Sequence, residues 1–173
     1  QERIKDLNDH LMLFYTGITR TASDIAAAYV KDIESRERQL RHIMDMVNEG
    51  ISILCNGQDI TRFGELLDEA WQAKRGLAPM ISNTYVDEIY HQAMEAGAVG
   101  GKLLGAGGGG FMLIFAPPSK QPKVRERLNT LIQVPFKFEY SGSQIIFYDQ
   151  EEDYSALDRF RTSQPIQAFR ELV

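Results

Sequence analysis

Gly97-Ala-Val-Gly-Gly-Lys-Leu-Leu-Gly-Ala-Gly-Gly-Gly-Gly-Phe111 holds more than half of the fourteen glycines of this 173-residue chain. Glycine reaches positive φ without steric cost and admits a close approach to bare backbone, yet it loses the most conformational entropy on folding. Four in succession, Gly107 to Gly110, therefore need a purpose that a side chain would defeat. Loops of this composition present backbone N–H groups to anions. A Walker A loop is excluded, because Ala96 stands where it needs glycine and Leu103 where it needs Ser or Thr. Gly105-x-Gly107-x-x-Gly110 matches the dinucleotide fingerprint in letters, but that fingerprint follows a strand and opens a helix. Here Tyr85 to Met94 reads as a helix and Phe111-Met-Leu-Ile-Phe-Ala116 as a strand, so the order is helix, glycine loop, strand.

Outward from that run, Leu11-Met-Leu-Phe-Tyr15 is a continuous apolar stretch that fits a buried strand. Thr21 or Ser23 caps a helix from Asp24. Leu40, Ile43, Met44, Val47, Ile51 and Leu54 recur at helical spacing and are read as core positions, with the helix ending at Asn56-Gly57. Phe63, Leu66, Leu67, Ala70 and Trp71 mark the next helix, stopping near Gly76. Thr84-x-x-Asp87 reads as a capping box for the helix that ends at Gly97, its C′ residue. Past Pro117-Pro118, Val124, Leu128, Leu131 and Ile132 give a further helix. Phe136, Phe138 and Tyr140 then alternate with charges as a strand, and Ser141-Gly-Ser143 turns into a last strand, Gln144 to Tyr148. Four strands with four or five helices predict an α+β fold, a largely antiparallel sheet covered by helices on one side.

Composition narrows the function classes. A formal charge of −5 with both signs interspersed supplies neither the basic stripe that nucleic acid requires nor a polybasic membrane patch, so neither partner is expected. One cysteine, Cys55, excludes an internal disulfide and a Cys-based zinc site, and His10, His42 and His91 are scattered, so no metal ligands are expected. No stretch has the length of a membrane span, and the charged opening Gln1-Glu-Arg-Ile-Lys-Asp6 is unlike a signal peptide; a cytoplasmic protein is expected.

The wording Gly100-Gly-Lys-Leu-Leu-Gly-Ala-Gly-Gly-Gly-Gly-Phe-Met-Leu-Ile-Phe115, after a helix and into a strand, closely resembles the third motif of the GHMP kinases, ATP-dependent kinases of small molecules. Tyr15-Thr-Gly-Ile-Thr-Arg-Thr-Ala-Ser23 and Trp71-Gln-Ala-Lys-Arg75 resemble the branch that phosphorylates D-glycero-D-manno-heptose 7-phosphate at its anomeric oxygen. The resemblance implies a ferredoxin-like domain. It also implies an amino-terminal half bearing a Pro-x-x-x-Gly-Leu-Gly-Ser-Ser-Ala loop and an acidic catalytic residue, neither of which occurs in this sequence. The chain is accordingly expected to be a carboxy-terminal half: one domain over 1–173, with a core of roughly 8–148 and an extension over 149–173. It would be inactive alone, with no catalytic residue of its own, and its partners would be a sugar phosphate, ATP and the N-terminal kinase domain. ATP and Mg2+ would be bound mainly by that other half.

Phosphoryl transfer needs positioning and charge neutralisation more than covalent help. The resemblance places Gly105, Ala106, Gly107, Gly108, Gly109 and Gly110 beside the phosphate-binding loop of the other half, letting two backbones pack closely next to the ATP phosphates, with Lys102 either reaching them as a point charge or solvated at a helix end. Arg20 is the candidate for the phosphate already on the sugar, because a planar guanidinium binds phosphate bidentately, with Thr16 and Thr19 alongside. Its alternative is an ion pair with Asp24 one turn along the helix. Lys74 and Arg75 are further candidate sugar-phosphate contacts, or solvated charges. Two other readings stay open: a free-standing ferredoxin-like module that binds a ligand or partner without catalysis, and a GHMP kinase of another substrate.

Overall fold

A computed structural model of the chain describes residues 2–19, 36–146, 153–156 and 159. The expected helix from Asp24 with its Thr21 or Ser23 cap, the pair Phe147 and Tyr148, and most of 149–173 lie outside the described residues. The chain divides into two units, 1–138 and 139–173. In the second, Glu139 Oε1 accepts the N–H groups of Tyr140 and Ser141, each at 3.0 Å, and Asp153 Oδ1 accepts that of Ser155 at 2.9 Å.

The first unit runs α1 (Glu2–His10), β1 (Leu11–Tyr15), α2 (Glu37–Cys55), α3 (Thr61–Arg75), a 3-10 turn (Pro79–Ile81), α4 (Thr84–Glu95), β2 (Gly100–Leu103), β3 (Phe111–Phe115), α5 (Gln121–Arg127) and β4 (Ile132–Gln133). Its strands form one sheet in the order β2-β3-β1-β4, and every neighbouring pair is antiparallel. A strand, a helical crossover, a hairpin, a second helix and a final strand in that order make the ferredoxin-like α+β arrangement.

Local chemistry sets the ends of these elements. Gly97, at φ 102°, closes α4: its N–H reaches the Met94 carbonyl at 3.0 Å and that of Ala98 reaches Ala93 at 3.1 Å, a Schellman ending. At the other end the cap falls one residue before the expected Thr84. Asn83 Oδ1 accepts the Val86 N–H at 3.0 Å, while Asp87, the expected box partner, takes the Ser82 hydroxyl at 2.6 Å.

Strand membership departs from the sequence reading. Gly100 to Leu103, read as loop, is the edge strand β2, so the glycine run is a hairpin with a strand on each side. In place of a strand over Phe136–Tyr140 and a hairpin at Ser141–Ser143, the fourth strand is Ile132–Gln133, residues read as the end of a helix. Val134 adds one more bond to Leu13 at 2.8 Å, and Pro135, lacking an N–H, ends the ladder there. Phe136 and Phe138 pack edge-on against each other, with ring centres 6.0 Å apart.

One sheet face carries Met12, Phe14, Leu103, Met112 and Ile114 against Val86, Ile89 and Ala93 of α4 and Val124 of α5. The opposite face is not bare, as the one-sided expectation required: Leu7 of α1 and Phe63 of α3 pack on Phe115, while Phe111 at its far end is 41% exposed. The stripe expected to be core on α2 is only partly so. Met46, Gly50 and Ile53 are buried, whereas Met44, Val47 and Ile51 are exposed, because α2 turns toward α3 the face that meets Phe63 and Leu66.

What brings α3 against the sheet is an approach between two glycines. A Cβ on Gly100 would lie 1.9 Å from the Gly64 carbonyl oxygen, and one on Gly64 would lie 2.5 Å from the Phe115 ring. Gly50, by contrast, has ordinary room for a methyl group, 3.5 Å from Leu66. Gly100→Ala should therefore destabilise the chain by about 3 kcal/mol or more. Gly50→Ala should be neutral or stabilise it by up to about 1 kcal/mol through helix propensity. Urea denaturation of both variants checks this, and equal midpoints would mean that α3 does not rest on β2 through these glycines.

Candidate functional site

The loop between β2 and β3 is wedged between two turns of chain. Gly107, at φ 120°, lies on Ile81, where a Cβ would stand 2.9 Å from the Ile81 Cα; Gly109 lies on Ile18, with a Cβ 2.7 Å away from it. Hydrogen bonds fasten both contacts. Gly108 N–H donates to Ile81 O at 2.8 Å and Gly110 N–H to Ile18 O at 2.9 Å. Asn83 Nδ2 donates to Gly108 O at 3.2 Å, so the residue that caps α4 also holds the loop. The buried Thr16 gives both its N–H and its hydroxyl to Gly110 O, each at 2.9 Å.

After these bonds, and with Gly107 N–H closing the turn toward Leu104 O, the N–H groups of Gly105, Ala106 and Gly109 have no acceptor among the described residues. Gly105, Gly107, Gly108 and Gly110 all have positive φ, between 72° and 120°, a backbone state that L side chains rarely adopt. Successive free N–H groups in such a turn form a concavity suited to an anion.

Two cations flank the loop. Lys74, in the last turn of α3, donates through Nζ to Leu103 O at 3.2 Å and to Gly105 O. Burial first, and Lys102 second, lower its pKa from 10.5 to about 8. Burial also lowers that of Lys102, which meets no hydrogen-bond or ion-pair partner among the described residues and lines an apolar groove of about 280 Å³ with Ile43 and Val47 of α2 and Ala70 of α3. Among the described residues neither ammonium has a carboxylate beside it. Arg75 is placed differently: its guanidinium pairs with Asp87 at 3.0 Å and lies 5.9 Å from the Trp71 ring.

Of the residues expected from sequence, the structure thus brings together Thr16, Lys74, Lys102 and Gly105 to Gly110, leaves Thr19 exposed, and commits Arg75 to α4. Arg20 lies outside the described residues. Ile18, Ile81 and Asn83 were missed, and only Asn83 carries a signal, as a polar residue directly before an amphipathic run. Among the described residues no group of three His, Cys, Asp or Glu is placed to hold a metal ion, and no helix is long and apolar enough to cross a membrane. The loop fits phosphate oxygens; the described residues offer no carboxylate set for Mg2+.

The sequence model of the family described as GHMP kinases C terminal matches residues 51–132. One curated relative is a bifunctional fucokinase/GDP-fucose pyrophosphorylase of Arabidopsis thaliana, 31% identical over 130 residues, which are 72% of this chain and 12% of that protein. Another is a D-glycero-alpha-D-manno-heptose 7-phosphate kinase of Campylobacter jejuni, 30% identical over 118 residues, 67% of this chain and 34% of that protein. The chain therefore spans no more than 34% of the length of either. In fold it is similar to the mevalonate kinase of Methanococcus jannaschii, with a TM-score of 0.63 at 21% identity over 78% of this chain and 41% of that one.

The lowered pKa of Lys74 has a thermodynamic consequence. Between about 8 and 10.5 the unfolded chain holds a proton that the folded chain has released, so stability rises with pH across that window. Denaturation midpoints at the two ends should show a rise in the wild type that is smaller in Lys74→Met. A rise of equal size in the variant would assign it to other groups.

Proposed function

We propose that this chain, which belongs to the GHMP kinases as their C-terminal domain, is the half of an ATP-dependent sugar kinase that closes the nucleotide phosphate site and holds the sugar phosphate. The observation that carries the reading is the loop itself. It is fixed at Ile81 and Ile18 and, among the described residues, has N–H groups without an acceptor at Gly105, Ala106 and Gly109 and lies beside two lysines without carboxylate partners. When bound, ATP with Mg2+ supplies the phosphoryl group and much of the charge neutralisation. The chain's own part is to donate N–H groups to phosphate oxygens, to add positive charge, and to keep the loop from moving as negative charge develops, so that little reorganisation is required during transfer. The other half of the kinase supplies the main ATP loop and the acidic residue, and on this reading the chain alone is inactive.

For the acceptor we favour D-glycero-D-manno-heptose 7-phosphate, phosphorylated at the anomeric oxygen. Support comes from the wording of Tyr15 to Ser23 and of Trp71 to Arg75, together with the Campylobacter relative. Thr19 and Arg20 would meet the 7-phosphate, with the exposed Thr19 free to turn its hydroxyl to a ligand.

Two experiments on the full-length kinase test these assignments separately. Gly105 is exposed, and a Cβ there would meet nothing within 4 Å, so Gly105→Val strains only the backbone, by about 1–2 kcal/mol. It should nevertheless lower kcat/KM for ATP by about 100-fold, some 2.7 kcal/mol of transition-state stabilisation. A folded variant that keeps most of its activity would reduce the loop to a connector.

Arg20→Ala addresses the acceptor. Loss of a charge-assisted hydrogen bond of about 1.5 to 3 kcal/mol should reduce kcat/KM for heptose 7-phosphate by roughly 10- to 150-fold. The unphosphorylated heptose offers the guanidinium nothing to hold and should be turned over nearly as before. Arg20→Lys should recover part of the loss, because an ammonium lacks the bidentate fork. Equal losses on both sugars would point instead to an ion pair with Asp24.

A further inference from the structure

We propose that Lys74 is a positioning residue for the phosphate site: its ammonium grips the Leu103 and Gly105 carbonyls and so fixes the first turn of the glycine loop, leaving the N–H groups beyond it free for a phosphate. The inference rests on the nucleotide-loop reading above and replaces the role of sugar-phosphate contact expected for Lys74 from sequence. Its basis is the pattern of bonds at the end of the hairpin. Leu104 N–H pairs with Phe111 O at 2.8 Å, the last rung between β2 and β3. Backbone groups alternate sides along a strand, so the carbonyls on either side of that rung, those of Leu103 and Gly105, turn to the outer edge. β2 is the edge strand, and among the described residues no strand lies there to bond them. Lys74 Nζ occupies that position and donates to both.

No other described cation does this. Arg75, the next residue, is tied to Asp87, and the Lys102 ammonium has no acceptor among the described residues. Holding two carbonyls in one direction commits the peptide planes on either side of Leu104, and with them the entry into the positive-φ turn at Gly105. The ammonium has two neutral acceptors and, among the described residues, no anion, so none of their carboxylates compensates its charge next to the turn. A buried cation in that state favours an arriving anion. α3 is thus the element that sets the loop, because it is pressed onto β2 at Gly64 and Gly100 and presents Lys74 ten residues further along.

The test uses the full-length kinase with Lys74→Met, Lys74→Arg and, as a control on the loop, Gly105→Val. Amide hydrogen exchange over residues 104–110 is measured without ligand, and KM is measured separately for ATP and for heptose 7-phosphate. Lys74→Met should speed exchange of the loop roughly tenfold and raise KM for ATP by about the same factor, with kcat and the acceptor KM nearly unchanged. Lys74→Arg, which can still donate to two carbonyls, should restore most of both. Normal loop exchange with a raised acceptor KM would overturn the proposal and return Lys74 to the sugar phosphate. Unchanged exchange and kinetics would also overturn it, leaving a solvated lysine. Should Lys74→Met fail to fold, Lys74→Gln carries the same comparison against Lys74→Arg. Gly105→Val separates the two readings: if it damages ATP kinetics while Lys74→Met does not, only the clasp fails, and if neither does, the nucleotide loop fails with it.

Discussion

The contact on which this domain turns is the approach of the α3 backbone to the edge of the sheet at Gly64 and Gly100. A methyl group on Gly100 would stand 1.9 Å from the Gly64 carbonyl oxygen, so neither helix nor strand could hold its present position with any other residue at 100. Dense interiors transmit such constraints because they have little free volume to absorb them. From that point α3 carries Phe63 onto Phe115 on one face of the sheet, and Trp71, fully buried, into the core on the other. Its last turn then brings Lys74 to the hairpin. The same contact that seals the fold therefore places a charge at the candidate site.

That site is assembled from backbone more than from side chains. Ile81 and Ile18 offer carbonyls, Thr16 and Asn83 offer short polar groups, and the loop spends part of its hydrogen-bonding capacity on them. What it does not spend is the set of N–H groups from Gly105 to Gly109 that have no acceptor among the described residues. Unsatisfied donors in a partly buried turn cost free energy in the absence of a ligand. Two lysines with no carboxylate beside them among the described residues add to that cost through burial and mutual repulsion. A phosphate would relieve both at once, which is the physical ground for reading the loop as a phosphate site.

Much of the fold was legible from local chemistry. The apolar run Leu11–Tyr15, the strand Phe111–Phe115, the helix over Thr84–Glu95 and its ending at Gly97 all announce themselves through periodicity and end signals. The errors fall where local propensity competes with pairing. Gly100 and Gly101 read as loop because glycine weakens a strand, yet a bare backbone is what α3 and β3 require there: a Cβ on Gly101 would lie 2.5 Å from Leu113 O. Phe136, Phe138 and Tyr140 alternate like a strand, but Pro135 stops the ladder before them, and pairing with β1 is taken by Ile132–Gln133 instead. The α2 stripe was right in period and partly wrong in direction, since a helical repeat fixes which residues share a face and not which neighbour that face meets.

Sequence by itself determined that a glycine-rich run follows one amphipathic helix and leads into a buried strand of an α+β domain, because φ preference, apolar period and capping are properties of short stretches of chain. The tertiary structure alone decided which groups complete that loop. Ile18, Ile81, Asn83 and Lys74 lie 25 to 92 residues from the loop glycines they hold, and no local pattern encodes a hydrogen bond to a backbone carbonyl so distant in the chain. It also decided that Arg75 serves α4 and that Lys74, its neighbour, serves the hairpin. Adjacent residues on a helix point about 100° apart, so only the packing of α3 at Gly64 and Gly100 settles which of the two cations reaches the loop.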